Sequence, residues 1–506
     1  MEKVKRFIHN IFPRRLPVLL LLIAAIISML MSKWAGHILG EIRVNYESDN
    51  MPTAAGMQES GSQEVPAYRY YLDISPSMIG YLAPEGRMVA VGQALRTLSQ
   101  DRGGDVLYYT CAEKVEQVGE REFFDYLEDT QAMVEYYSEA LMQESLAATV
   151  QEINLCRIFT DDYSNGQYFD SEGGMVNVIV TDLNFLKDPD DLDGHKSLMD
   201  DFAEYLSICV KECNFSIYRV RSTHIGPPTD EYNPNDEWTV NREDSFFIIV
   251  LAQNDRIYRQ YIGNLEDVFG RQEVSLADSH QLLNDPVGEN HTISLDRDSE
   301  FIRSSTQHTG LHWDNLSFRD LPDNAVAFHM AYTGDEPWAS LQLPAAKLSL
   351  PGYGDAEDNA TSAGRVTTNI KKYQNTLFGG WKEDPHFSGL TGNTAYIRGY
   401  GSDWYLCFSM DLEKRAPTLD QLGDSLKLHH CVLLDVRFQL DTIDYPVPAW
   451  INNIDTDTLP TGSSYSEKIG ISGLIQALNR AKAEAYSSEA NSSQGYLGNL
   501  LILIDY

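Results

Sequence analysis

The chain has 506 residues and is strongly acidic, with 74 Asp and Glu residues against 39 Lys and Arg residues and a formal net charge of −35. Such a charge repels a phosphate backbone, which argues against nucleic acid as a partner. The six cysteines are too few for a disulfide-rich scaffold. About 440 residues follow the amino-terminal segments described next, which is enough for two or three domains.

Residues 16–32 form an almost unbroken apolar run of about 17 residues, near the lower limit for a helix that spans a bilayer. Basic residues are concentrated before this run: Lys3, Lys5, Arg6, Arg14 and Arg15 precede it, and Lys33 and Arg43 follow it. The positive-inside rule therefore predicts a cytoplasmic tail at residues 1–15, a single transmembrane helix at residues 16–32 and an extracytoplasmic main body in the cell membrane. A cleaved signal peptide is the alternative, although no small-residue cleavage motif follows the run.

Residues 33–66 connect this predicted helix to the first folded domain. From residue 47 onwards they are rich in Ser, Gly, Glu and Gln and contain few large apolar side chains. Such a composition cannot bury enough apolar surface to fold, so it predicts a flexible stalk. An irregular loop packed on the domain is the alternative.

A strand-like run at residues 68–72 leads into Asp73, Ser75 and Ser77, which place one carboxylate and two hydroxyls on one turn. A hard divalent cation such as Mg²⁺ prefers oxygen ligands and retains several waters, so these three side chains form half of a metal site. The remaining coordination positions would be open to a partner's carboxylate. An Asx-turn at a strand end accounts for the same residues without a metal.

Strand-like and helical patterns then alternate along the chain. Helices are predicted at residues 88–98, 196–211 and 257–269, and strands at residues 105–111, 114–118, 176–182, 215–220 and 246–251. This alternation predicts a doubly wound, mainly parallel sheet with helices on both faces. The strand at residues 176–182 ends on Asp182, so Asp73 and Asp182 are expected at the same carboxyl edge, beside a solvent-facing cleft.

These motifs resemble the von Willebrand factor type A (VWA) domain over residues 67–270. The adhesion site of that family uses D-x-S-x-S after the first strand, matched by Asp73, Ser75 and Ser77, and an Asp after the fourth strand, matched by Asp182. The family's Thr corresponds to Thr149, with Thr160 as the alternative.

The resemblance implies that these residues hold Mg²⁺, or Ca²⁺ or Mn²⁺, and that an acidic side chain of a protein ligand completes the ion's shell. Two departures from the family pattern stand out. Ala148 precedes Thr149 where the family favours Gly, and Leu183 follows Asp182 where the family usually has Gly.

Residues 271–506 have a different pattern, with short strand-like runs at residues 325–332, 341–350, 404–410 and 432–440 separated by long polar connections. They predict a β-rich, mainly antiparallel domain, either a sandwich or a barrel. A helix at residues 469–486 and a strand at residues 497–504 close the chain, and residues 501–505 are expected to lie in a sheet. The pattern does not decide whether this pair packs on the first domain or completes the second.

Three classes of function are compatible with these features. The favoured one is a membrane-anchored binding or adhesion protein that engages a protein ligand through the bound ion. An extracytoplasmic metal-assisted hydrolase is the second class, but no general base accompanies either acidic motif, and no catalytic residue is assigned. A structural assembly protein with an empty site is the third. The cysteines are expected to be buried free thiols, although Cys407 and Cys431 could pair.

Overall fold

The structure is a computed structural model. It describes residues 66–82, 86–100, 105–112, 114–129, 155–160, 162–163, 166–167, 174–185, 192–225, 241–287, 291–295, 311–315, 324–332, 341–342, 346–350, 361–376, 380–387, 393–410, 431–451, 470–489 and 495–505. The predicted tail, transmembrane helix and nearly all of the stalk lie outside these ranges, as does Thr149. None of the described helices is both long and apolar enough to cross a membrane.

The described part of the chain is mixed α/β, with two large sheets. The elements up to residue 282 are β1 (Ala67–Asp73), α1 (Pro76–Ile79), a 3₁₀-helical turn (Gly80–Leu82), α2 (Met88–Gln100), β2 (Val106–Cys111), β3 (Val115–Val118), α3 (Glu120–Glu128), α4 (Arg157–Thr160), β4 (Asp162–Tyr163), β5 (Gly166–Gln167), β6 (Met175–Thr181), α5 (Leu192–Glu212), β7 (Asn214–Ile225), β8 (Asn241–Ala252), α6 (Asp255–Arg271) and β9 (Ser279–Leu282).

The remaining elements are mostly strands. They are β10 (Thr292–Ser294), β11 (Leu311–Asn315), β12 (Ala325–Tyr332), β13 (Leu341–Gln342), β14 (Ala346–Ser349), β15 (Thr361–Thr376), β16 (Gly380–Glu383), β17 (Thr394–Tyr400), β18 (Asp403–Met410), β19 (Cys431–Leu440), α7 (Ile471–Glu489) and β20 (Tyr496–Asp505).

The first sheet has the strand order β3-β2-β1-β6-β8-β7-β9. Strand β1 is parallel to both β2 and β6, whereas the other four neighbouring pairs are antiparallel. The prediction of a mainly parallel sheet is therefore wrong. Strands β7 and β8 pair along their whole length as an antiparallel ladder, and β8 lies beside β6. Buried strands of either orientation read as continuous apolar runs, so the sequence pattern could not distinguish them.

Both faces of the first sheet are covered by helices, as predicted. Apolar side chains of α2, α3 and α6 pack on one face together with Tyr68, Tyr70 and Leu72 of β1. On the other face, Tyr71 and Ile179 pack with side chains of α4, α5 and α7. Burial on both faces explains why β1 and β6 are mostly apolar, with Arg69 and Asn177 as the polar residues inside the two runs.

The second sheet has the strand order β10-β14-β18-β17-β15-β19-β20-β12-β11. Its neighbouring pairs are antiparallel except for β12 and β20, so the β-rich, mainly antiparallel interpretation is confirmed. Strand β12 has the predicted limits, and β18 and β19 each begin one residue before the predicted run. The 16-residue strand β15 was not predicted, because its Thr, Asn, Lys and Gln residues read as a polar connection.

The carboxyl-terminal helix and strand belong to different layers. Side chains of α7, including Leu474 and Leu478, pack in the core beneath the first sheet, whereas β20 lies between β19 and β12 in the second sheet. The first sheet also takes a strand, β9, from beyond the predicted boundary at residue 270. The expectation that residues 501–505 lie in a sheet is confirmed. Cys407 is a free thiol, so its possible pairing with Cys431 is not formed.

Candidate metal centre

Asp73 and Asp182 lie side by side at the carboxyl edge of the first sheet. Asp73 is the last residue of β1, and Asp182 follows Thr181, the last residue of β6. These strands are parallel neighbours with Leu72 opposite Val180, which puts Asp73 level with Thr181. The expected shared edge is therefore present.

The turn after β1 brings two hydroxyls next to the Asp73 carboxylate. Ser75 is the N-cap residue of α1 and Pro76 occupies the first helical turn, a combination that favours the start of a helix. The Ser75 side chain makes no cap hydrogen bond, and its Oγ lies 3.0 Å from Ser77 Oγ. The Ser75 main-chain N–H donates to Asp73 Oδ1 at 2.9 Å, which closes the Asx-turn that the sequence left as an alternative.

Thr181 provides the second hydrogen bond to Asp73. Its Oγ1 donates to Asp73 Oδ2 at 2.7 Å and accepts the Leu183 main-chain N–H at 3.0 Å. The position of Thr181 directly before Asp182 was the sequence signal for this contact, whereas the VWA pattern pointed to Thr149. Thr160, the alternative, is an exposed residue at the end of α4.

The site is buried. Asp73 is 1% exposed, Ser75 0%, Ser77 3% and Asp182 2%, so the prediction that Asp73 lies beside a solvent-facing cleft is wrong. Burial and the nearby charge of Asp182 together raise the pKa of Asp73 to about 7, against the opposing effect of the hydrogen bonds from Thr181 and Ser75. Near neutral pH, the proton and a cation therefore compete for this carboxylate.

The turn after β6 has an unusual backbone. Leu183 has φ of 55°, in the left-handed region that glycine favours. A non-glycine residue there costs on the order of 1–3 kcal/mol. The Leu183 side chain is fully buried in the core beneath the first sheet, and Asp182 Oδ1 accepts the Asn184 main-chain N–H at 3.0 Å. Packing of Leu183 and this turn therefore hold Asp182 in place, although Leu183 stands where the VWA pattern has Gly.

His224, on β7, contacts the turn after β1 and was not singled out from the sequence. Its Nε2 lies 2.8 Å from the Ser77 carbonyl oxygen, and since a carbonyl only accepts, Nε2 carries the proton in this bond. A Cβ atom at Gly80 would overlap the His224 ring, so the loop requires glycine there. The Tyr81 ring packs edge-on against His224 at 4.7 Å between centroids.

The donor set is chemically suited to a hard cation. Carboxylate and hydroxyl oxygens at Asp73, Asp182, Ser75 and Ser77 are the ligand types that Mg²⁺, Ca²⁺ and Mn²⁺ take. Within the described ranges, no group of three or more His, Cys, Asp or Glu residues is placed to hold a metal. A metal here would therefore depend on the serine hydroxyls and on water.

No protein-family model, curated protein or solved structure matches this chain.

Proposed function

We propose that this chain is a membrane-anchored, extracytoplasmic binding protein that engages a protein ligand through a divalent cation, held by Asp73, Ser75, Ser77 and Asp182 with Thr149 as a further ligand. The observation that carries the proposal is the convergence of two carboxylates and a pair of hydroxyls, 3.0 Å apart, at the ends of adjacent parallel strands. Like charges in a buried site repel each other, and a cation relieves that repulsion. The membrane anchor remains a prediction from residues 16–32.

A VWA-like arrangement of the first sheet is part of the proposal. Three features support it: the parallel strands β2, β1 and β6, the antiparallel hairpin partner β3, and helices on both faces. Strand β8, which is antiparallel to β6, is a departure from a doubly wound parallel sheet. The proposed metal site therefore depends on the carboxyl edge that β1 and β6 form, and not on the strands β8, β7 and β9 in the other half of the sheet.

In this proposal the ion connects the chain to its ligand. Aspartate and serine oxygens hold one side of the ion, and an acidic side chain of the ligand replaces a water on the other side. Because the four side chains are at most 3% exposed, the ligand's carboxylate reaches the ion only when the turn after β1 moves outward. Ion-dependent binding then includes a conformational step.

Titration of the metal-depleted full-length chain in detergent with Mg²⁺ tests the proposal. The wild type should bind one ion with measurable heat and show a raised melting temperature, since a ligand that binds only the folded state stabilises it. Asp73→Asn, which keeps the shape but removes the charge, should abolish both effects. The control Asp267→Asn changes an Asp on α6 whose side chain is 70% exposed, and it should behave as the wild type.

The stability of the metal-free variants separates a ligand from a structural residue. Asp73→Asn should unfold no earlier than the wild type at pH 8. It removes a buried charge, keeps an oxygen that accepts the Ser75 N–H, and presents an NH₂ group that can donate to Thr181 Oγ1. Ile179→Ala, in the buried centre of β6, should lower the free energy of unfolding by about 2–5 kcal/mol through the cavity that it leaves. If the two variants are equally destabilised, Asp73 is a structural turn residue.

A structural role with an empty site is the second candidate, favoured by the burial of Asp73 and its hydrogen bonds to Thr181 and Ser75. A protonated Asp73 would then join the ends of β1 and β6. In that case neither Mg²⁺, Ca²⁺ nor Mn²⁺ changes the melting temperature of the wild type, and Asp73→Asn has no effect on any ion-dependent measurement.

A further inference from the structure

A cavity of about 470 Å³ lies beside β7 at the edge of the first sheet, and arginines dominate its lining. Arg87, Arg219 and Arg221 contribute three positive charges, and Glu273 and Asp278 contribute two negative charges. The lining is therefore net positive in a chain whose formal charge is −35. A net positive lining in an otherwise acidic chain attracts an anionic group to this cavity.

Asp278 and Ser245 hold two of these arginines in fixed positions. The Arg221 guanidinium lies 2.7 Å from Asp278 Oδ2, and that of Arg219 lies 3.6 Å from the same oxygen. Arg219 Nε also donates to Ser245 Oγ at 2.7 Å. One carboxylate is thus shared between two guanidinium groups, and the Arg221 side chain is still 71% exposed. Arg221 can therefore form a further charge-assisted hydrogen bond without losing its support.

Among the described residues, no strand covers the edge of β7 beside these arginines. Strand β9 pairs with β7 only from Phe215 to Tyr218, and the Arg219 main-chain N–H donates to the Asp278 carbonyl at 2.9 Å as the last contact of that ladder. Because main-chain groups alternate along a strand, those of Arg221 and Thr223 point in the same direction as those of Arg219. No described strand pairs with them on that side.

We propose that this edge binds an acidic peptide segment of a partner protein, which adds to β7 as an extended strand and places a carboxylate against Arg87 and Arg221. Main-chain hydrogen bonds to Arg221 and Thr223 supply affinity, and the arginines supply selectivity for acidic side chains. The net acidity of the chain disfavours nucleic acid at this site. The peptide contacts residues other than the proposed metal ligands, so its binding does not require an ion at Asp73 and Asp182.

The test uses the full-length chain in detergent with EDTA and a fluorescein-labelled peptide of alternating Glu and Val, followed by fluorescence anisotropy. A second peptide replaces each Glu by Gln, and a third keeps the Glu residues but is N-methylated on alternate residues. Each of these two should bind about tenfold more weakly than the parent or worse, because one loses the charge-assisted bonds and the other loses the strand hydrogen bonds. Inorganic phosphate should compete only weakly.

Two protein variants complete the test. Arg221→Gln should weaken binding of the parent peptide about tenfold or more, and its melting temperature should stay near that of the wild type because the side chain is exposed. Arg121→Gln, on α3 with a side chain 95% exposed, should bind as the wild type does. Three results would overturn the proposal: no binding up to about 1 mM peptide, equal binding of the N-methylated peptide, or full competition by phosphate, which indicates a simple anion pocket. Because the assay contains EDTA, its result does not depend on whether the proposed metal site binds an ion.

Discussion

His280 is a buried imidazole at the junction between β9 and α7. Its Nε2 lies 2.7 Å from Asn479 Oδ1, and the Asn479 side-chain amide donates to the Tyr445 carbonyl at 2.8 Å. Burial lowers the pKa of His280 to about 4, although the hydrogen bond to Asn479 acts in the opposite direction. The imidazole is therefore neutral in the folded chain over a pH range in which it is protonated after unfolding.

This difference predicts that acid weakens the fold before most carboxylates titrate. The pKa of His280 is lower in the folded state than the ordinary value of 6.5, so its contribution to stability is full above pH 6.5 and is lost as the pH falls towards 4. The loss should reach about 3 kcal/mol at pH 4. Urea unfolding at pH 7.5, 6, 5 and 4 measures it, and His280→Gln should flatten the dependence.

The exposed residue His386 provides the control for this measurement. His386→Gln should change the pH dependence of the wild type less than His280→Gln does. Equal slopes for the wild type and His280→Gln between pH 6.5 and 4 would show that His280 is already protonated in the folded state or that it does not remain buried.

At the scale of elements, a side chain of α7 caps the carboxyl end of α5. Lys482 is 2% exposed, and its Nζ donates to the carbonyl oxygens of Val210 and Cys213 at 2.8 and 2.9 Å and to Asn284 Oδ1. The last carbonyls of a helix carry a partial negative charge and have no partners within the helix. A lysine from another helix therefore caps α5 and connects the two helices.

Replacing Lys482 should lower the free energy of unfolding by more than the loss of a surface ion pair does. Lys482→Met keeps the length of the side chain but leaves buried carbonyls without a donor, so the free energy of unfolding should fall by about 2–4 kcal/mol. Lys371→Met removes the partly exposed pair with Glu383 and should cost less than about 1 kcal/mol. Urea denaturation compares the two variants, and similar losses would mean that Lys482 contributes no more than a surface ion pair.

At the scale of the whole molecule, the carboxyl-terminal residues connect the two sheets. The helix α7 contributes Ile471, Leu474, Ile475 and Leu478 to the core beneath the first sheet. The strand β20 contributes Leu500 and Ile502 to the core of the second, where it pairs with both β12 and β19. Neither core is complete without this segment, so the two sheets should unfold together.

A chain that stops after residue 468 tests this dependence. It lacks α7 and β20, so both cores lose apolar contacts and the second sheet loses an inner strand. We expect the truncated chain to lose its cooperative thermal transition in near-ultraviolet circular dichroism and to bind a hydrophobic dye. A chain that ends at Asp505 should melt as the wild type does. A sharp transition in the truncated chain would instead show that the first sheet is independent.

The sequence by itself determined the elements that local chemistry controls. Residues 68–72 and 176–180 are mostly apolar because their strands are buried on both faces, and each run leads directly to an acidic residue of the site, Asp73 or Asp182. The placement of Asp73 and Asp182 at one edge needed only that β1 and β6 run in the same direction. The limits of β12 were also readable, because an apolar strand ends where its apolar run ends.

Only the tertiary structure decided which strands are neighbours and what the site residues contact. The position of β8 between β6 and β7 depends on pairing across the whole sheet. The apolar run of a buried strand does not show whether the neighbouring strand is parallel or antiparallel to it. The burial of Asp73 and the contact of His224 with Ser77 join residues more than 100 positions apart. For the same reason, the sequence could not show that α7 and β20 pack in different cores. An apolar face must be covered by other apolar side chains, but only the packing of the whole chain decides which ones.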